Sequence, residues 1–229
     1  VIHVLTGDGA GKTTSSIGHL IRALGHDGRG LIIQFYKNDR NAGDYKFFFE
    51  KHPSARVDII QYGTKCLNPE MRREQRCSQC GECMQDKKLL RRRVLSAIKK
   101  LRERVEYYDS IVLDEVLVAY SFGHISRREI EDIVRMAPEK EWYLTGRLFG
   151  CKICKSRYRY MVDTLLCNEE KQKEIGFAGC GNFVPISEFG VPTRGIPAWL
   201  YDLADYITLM VEVKHPFRQG VPARLGVEW

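Results

Sequence analysis

The chain has 229 residues, 44% of them hydrophobic, and carries a net charge of +7. That is enough apolar material for one large α/β domain, or for one domain with sizeable insertions. No uncharged apolar run reaches the length of about 18 residues that a membrane-spanning helix needs, which excludes an integral helical membrane protein.

Val1–Leu5 is too short for a signal peptide and runs directly into a glycine loop, so it reads as a first strand. The start is abrupt enough to suggest residues upstream. Further short β-branched or aromatic runs occur at Leu31–Tyr36, Val57–Tyr62, Ser110–Asp114, Glu141–Thr145 and Tyr206–Val213. Runs of this kind suit strands buried on both faces. Helical patterns separate several of them, at Lys12–Leu24, Asp86–Glu106, Ser126–Met136 and Pro197–Ala204. The alternation predicts a mostly parallel α/β sheet of the P-loop (RecA-like) type with helices on both faces. Two segments interrupt it, 66–85 after the third strand and 151–195 after the fifth. Both are expected to be Cys-rich insertions in a single domain spanning 1–229. In an open parallel sheet, loops leaving strand C-termini line the ligand crevice, so both should lie on the site side.

Thr6–Thr14 reads TGDGAGKTT. It fits a phosphate-binding loop, with Thr6 where the first glycine is expected. Gly7, Gly9 and Gly11 let backbone amides turn inward, and with Asp8, Ala10 and Thr14 they form the expected nucleotide cradle. Lys12 adds a point charge and the helix starting there adds its positive end. Thr13 offers a hydroxyl to Mg²⁺. Asp114 and Glu115 end the apolar strand IVLD, where a carboxylate suits a metal-linked role opposite the loop. Glu115 either polarises water or holds metal or substrate. These features predict an ATP site without naming a reaction.

The eight cysteines fall into two groups of four: Cys66, Cys77, Cys80 and Cys83, then Cys151, Cys154, Cys167 and Cys180. With a nucleotide loop and no export signal, the expected compartment is reducing and cytoplasmic, which favours metal ligation over disulfides. Four thiolates close either a tetrahedral zinc site or a four-iron cluster. Cys77-x-x-Cys80-Gly-x-Cys83 resembles the run in bacterial-type ferredoxins. The first group therefore points to a 4Fe-4S cluster ahead of zinc, and the second fits iron–sulfur and zinc equally. Lys87–Arg104 reads KKLLRRRVLSAIKKLRER. It is a solvated amphipathic helix or a surface for an anionic partner. No stacking aromatics interleave the charges, so nucleic acid is the weaker reading.

Lys214–Trp229 reads KHPFRQGVPARLGVEW. Together with TGDGAGKTT, QFYKN (Gln34–Asn38), VLDE (Val112–Glu115) and LTGR (Leu144–Arg147), it resembles the corrinoid adenosyltransferases of the cob(I)alamin type. The resemblance covers about two-thirds of the chain. It implies transfer of the 5′-deoxyadenosyl group of ATP to Co(I) of a corrinoid, with release of triphosphate. It also implies an ATP reversed relative to ordinary P-loop enzymes. By carry-over, Thr13, Asp114 and Glu115 form the metal neighbourhood, and Arg147, Lys214 and His215 are site-building polar groups. Members often form dimers, which makes a homodimer an open alternative. Two departures stand out. The family's aromatic loop after the third strand is replaced by Tyr62-Gly63-Thr64-Lys65-Cys66, and Leu117 stands where a polar residue is usual. Iron–sulfur clusters beside the crevice would let the enzyme reduce Co(II) itself, fed by a low-potential donor of the ferredoxin or flavodoxin kind. The competing readings are a zinc-containing nucleoside kinase and a P-loop ATPase.

Overall fold

The computed structural model describes residues 1–7, 9–38, 40, 42–53, 55–67, 69, 86–148, 183, 184, 196–212, 214, 216–221 and 224. Its centre is a six-stranded sheet of β1 (Ile2–Thr6), β2 (Gly30–Gln34), β3 (Val57–Gln61), β4 (Ser110–Asp114), β5 (Glu141–Thr145) and β8 (Tyr206–Leu209). The spatial order is β3-β2-β4-β5-β1-β8, and every neighbouring pair is parallel. A short antiparallel ladder joins β6 (Phe183–Val184) to β7 (Ile196–Pro197).

Parallel strands bury both faces, and the side-chain alternation shows it residue by residue. Leu31 and Ile33 of β2, Ile111 and Leu113 of β4, Val4 of β1 and Trp142 and Leu144 of β5 enter one core. Their alternating neighbours Ile32, Val112, Leu5 and Tyr143 enter the other. The larger core is closed by α3 (Lys87–Arg104) through Val94, Ala97, Ile98 and Leu101, α5 (Arg127–Arg135) through Ile130, Ile133 and Val134, α6 (Ala198–Leu203) through Trp199 and Leu200, and the short helix after β4 through Val116, Leu117, Ala119 and Tyr120. The smaller is closed by Leu20 of α1 (Lys12–Leu24) and by Phe48. Helices on both faces follow from these two apolar surfaces.

Local chemistry sets the helix starts. Ser126 and Glu129 exchange side-chain and backbone hydrogen bonds in a capping box that opens α5. The Asp86 carboxylate accepts from the Leu89 amide and opens α3.

Several boundaries differ from the sequence reading. The second strand ends at Gln34 rather than Tyr36, because the chain there turns across β3: Tyr62 N–H donates to the Gln34 carbonyl and Gly63 N–H to that of Lys37. The last strand ends at Leu209 rather than Val213, where the chain peels onto the glycine loop. Two helical segments were not expected. One is α2 (Gly43–Lys46), continued by a π turn at Phe47–Lys51. The other is α4 (Val116–Ser121), whose Val116–Tyr120 are all buried. Its run VLVAY has strand-like propensity, but burial on every side within the core overrides it.

Candidate active site

The strand order fixes what meets at the crevice. β5 lies between β4 and β1, so the end of β5 separates Asp114 from the glycine loop. Thr145 occupies that end. Its hydroxyl donates to Asp114 Oδ1 at 2.8 Å and accepts from the Glu115 amide at 3.0 Å. From the loop side, the Thr13 hydroxyl donates to the same Oδ1 at 2.7 Å. The other carboxylate oxygen, Oδ2, faces Lys37 Nζ at 3.1 Å and Gln34 Nε2 at 3.3 Å. Gln34 and Lys37 also reach Asp44 Oδ2, at 2.6 and 3.3 Å, and Gln61 donates to Gln34 Oε1 at 2.9 Å. Asp114 is thus a fully buried carboxylate with four donors. Burial by itself would raise its pKa; Lys37 and the hydroxyls of Thr13 and Thr145 outweigh that and hold it below the ordinary range. Lys37 is the converse. Burial opposes its charge, and Asp114 and Asp44 more than restore it.

The glycine loop is shaped by the chain leaving β8. Gly9 N–H donates to the Met210 carbonyl at 2.7 Å, and Met210 N–H donates to that of Thr6. Gly7 has φ of +103°, and a Cβ there would lie 2.3 Å from the Met210 carbonyl oxygen. Gly11 has φ of +101° and opens α1; a Cβ there would meet nothing within 4 Å, so its face is open while its conformation still demands glycine. Lys12 is buried, and its ammonium donates to the Gly9 carbonyl at 2.5 Å, drawn in across the loop. Amides, a buried ammonium and a helix start at one strand end suit the phosphates of a nucleotide.

Glu115 turns the chain from β4 into α4 in a left-handed conformation, φ of +67°. For a non-glycine residue this costs on the order of 1 kcal/mol, a strain found most often at functional sites. Burial, and after it the Asp114 charge, push its carboxyl up to about 7, against the pull of Lys12, Lys37 and Arg147. Tyr36 lies close enough for the Glu115 charge to add to burial in raising its phenol.

A family model described as ATP:corrinoid adenosyltransferase BtuR/CobO/CobP matches residues 1–156 and 190–229. The chain belongs to that family. It is therefore a transferase of the ATP:corrinoid adenosyltransferase kind. A corrinoid adenosyltransferase of Sinorhizobium sp is 24% identical over 231 residues, covering 100% of this chain and 80% of the relative. One from Escherichia coli K12 is 23% identical over 230 residues, covering 100% and 85%. The corrinoid adenosyltransferase CobA of Salmonella typhimurium is 23% identical over 231 residues, with the same coverage.

Among the residues expected at this adenosyltransferase site, Gly7, Gly9, Ala10, Gly11, Lys12, Thr13 and Thr14 lie in or next to the loop, and Thr13, Asp114 and Glu115 converge. Arg147 is exposed at the end of β5, near enough to Glu115 to act on its charge. Lys214 is exposed, and no hydrogen bond or ion pair joins it to the loop among the described residues. Asp8 and His215 lie outside the described residues, as do Cys77, Cys80, Cys83, Cys151, Cys154, Cys167 and Cys180. Cys66 is half-buried just past β3. Its strand stands four places from β1, about 19 Å across the sheet at ordinary strand spacing, and at the same strand ends as the loop. No group of three or more metal-binding side chains occurs among the described residues.

Sequence reasoning missed Gln34, Lys37, Asp44 and Thr145. Three of these sit inside the motifs QFYKN and LTGR. A polar residue closing an apolar strand was the available signal for Gln34 and Thr145. Asp44 gave none, because it approaches from the unexpected α2. Leu117, the apolar departure, is fully buried and packs against Gly146 of LTGR.

Proposed function

We propose that the chain transfers the 5′-deoxyadenosyl group of ATP to the Co(I) of a corrinoid. In that reaction a cobalt–carbon bond forms, the bond from the 5′-carbon to triphosphate oxygen breaks, and triphosphate leaves with the electron pair. The observation that carries this reading is the meeting of Thr13, Asp114 and Glu115 beside a phosphate loop, in a chain of this family. Co(I) is itself the nucleophile, so no side chain need act as a base. The protein's task is to aim the sugar carbon and to receive developing charge on triphosphate. Lys12 and the loop amides suit that charge. A Glu115 carboxyl titrating near neutrality repels an incoming polyphosphate less than a fixed carboxylate would.

Mg²⁺ fits the oxygen donors at hand. Thr13 Oγ1 and Asp114 Oδ1 are hard oxygen donors 2.7 Å apart, and a direct bond to Asp114 would require Oδ1 to release the Thr13 or Thr145 hydroxyl from which it now accepts. Bound there, Mg²⁺ would supply positive charge opposite the phosphates. Arg147, Lys214 and His215 are assigned to the rim of the site on resemblance.

We assign the two cysteine groups to metal, iron–sulfur first and zinc as the alternative, in insertions 66–85 and 151–195 of a single domain. The family match breaks between residues 156 and 190, inside the second segment, which supports its reading as an insertion. Thiolates suit either metal, and an iron–sulfur centre would supply low-potential electrons for Co(II). An external ferredoxin- or flavodoxin-like donor, a homodimer and a cytoplasmic location belong to the same reading.

The test is anaerobic incubation with ATP and a chemically reduced corrinoid. The reading expects a cobalt–carbon absorption spectrum and stoichiometric triphosphate. Formation of ADP without adenosylcorrinoid would replace it with a kinase or ATPase. Iron and acid-labile sulfide analysis of the same protein decides the metal, and stoichiometric zinc without sulfide would remove the redox role.

A further inference from the structure

Away from the loop, the first two turns of α3 face the turn that closes α4. Between them lies a groove of about 570 Å³, lined by Lys87, Lys88, Arg91 and Arg92 on one side and by Phe122–His124 on the other. Because α3 leads into the N-terminal end of β4, the groove sits at the strand C-terminal end of the sheet, as the phosphate loop does.

Three observations single it out. First, the first turn of α3 adds Lys87 and Lys88 to a helix N-terminus whose cap is the Asp86 carboxylate, so cationic side chains gather on the groove side. Lys87, Lys88 and Arg92 are exposed and make no ion pair among the described residues. Second, the wall is held firmly. Arg91 donates to both oxygens of Glu129, at 2.7 and 3.1 Å, and to the His124 carbonyl at 2.5 Å. Third, His124 is 4% exposed, its Nδ1 is engaged with the Tyr36 hydroxyl at 2.7 Å, and its Nε2 has no partner among the described residues. Buried polar nitrogens are rarely left so.

We infer that this groove is a binding site for a small organic phosphate monoester, its phosphoryl group held by Lys87, Lys88 and Arg92 and its organic part laid against Phe122. The ring of Phe122 is partly exposed and stands 6.0 Å from that of His124, a flat apolar flank beside the cations. The groove is open to solvent, with room beside the cations for a group larger than a bare phosphate. The groove shares no lining residue with the glycine loop.

His124 is the reporter. The groups facing it are Tyr36 after β2, Lys87 and Arg91 from α3, and Phe122 at the end of α4, with Glu129 of α5 behind Arg91. Burial first, then Lys87 and Arg91, lower its pKa. A bound dianion screens those two cations, so the His124 titration midpoint moves up.

The experiment follows the His124 imidazole by NMR, assigned through its loss in His124→Asn, during titration with inorganic phosphate and separately with AMP. Saturable shifts of His124 with both probes, AMP binding tighter, are expected. Lys88→Glu with Arg92→Glu should weaken both probes by about tenfold or more, two charge-assisted contacts being lost. If that charge reversal disturbs the fold, Lys88→Gln with Arg92→Gln should act in the same direction. Phe122→Ala should bring AMP down to the affinity of inorganic phosphate. An unmoved His124 at millimolar probe, or equal shifts in the charge-reversed protein, overturns the site. Equal affinity for both probes in the unaltered protein overturns the organic part.

Discussion

Replacing Glu115 by glutamine removes one titrating group at nearly constant side-chain shape. In the folded chain that carboxyl keeps its proton to about pH 7, against an ordinary 4.5. Between those values the folded chain holds a proton that the unfolded chain has lost. Stability from this group is therefore complete below pH 4.5 and falls as pH rises through 7. Each step of one in pH across such a window costs about 1.4 kcal/mol. The full window gives roughly 3 kcal/mol, and about 2–3 kcal/mol once the partial solvent access of Glu115 is allowed for. Urea unfolding of both proteins from pH 4.5 to 8, taken as a difference, cancels the acids they share. The Glu115→Gln variant should gain about 2–3 kcal/mol on the wild type across that range, most of it between pH 5 and 7. Parallel stability curves, offset by a constant, would refute the argument that burial and Asp114 together hold the proton on.

The Asp114–Lys37 pair should behave as a unit. Asp114→Asn and Lys37→Met each leave a charge poorly matched, and each should cost about 2–4 kcal/mol, below the figure for fully buried pairs because Lys37 keeps some solvent. The double variant should be more stable than the sum of the two by at least about 1 kcal/mol, measured by a denaturant cycle. Additive losses would mean that the pair is not coupled. Thr145→Val removes a hydroxyl that serves Asp114 and the Glu115 amide together, and a loss of about 1–3 kcal/mol is expected in thermal melts. Thr145→Ser should restore most of it; a valine variant as stable as the wild type would show that water replaces the hydroxyl freely.

The alternation of short apolar runs with amphipathic stretches made the sheet and its polarity readable, because side chains buried on both strand faces leave no polar phase in the sequence. Lys12–Leu24 and Ser110–Asp114 were located to the residue for that reason. Features that depend on neighbours distant in sequence could not be read this way. Val116–Ser121 looks like a strand and becomes a helix because Glu115 reverses the backbone and the core encloses the next turn and a half of chain. Asp44 joins the site only because β2 hands the chain to α2, and nothing local marks it. Thr13, Asp114 and Glu115 were legible from the loop and the strand-end carboxylates. Lys37 was not, since its role rests on lying opposite a strand whose pairing partner only the topology reveals.

The brace that Met210 provides to the glycine loop has a consequence for biosynthesis. The loop leaves the ribosome long before its supports, because among the described residues β1 pairs with β5 and β8, and Gly9 bonds to the carbonyl of Met210. Contacts so remote along the polypeptide form slowly and late. A nascent chain that lacks Met210 therefore carries the loop's sequence without the hydrogen bond that braces Gly9 in the folded protein.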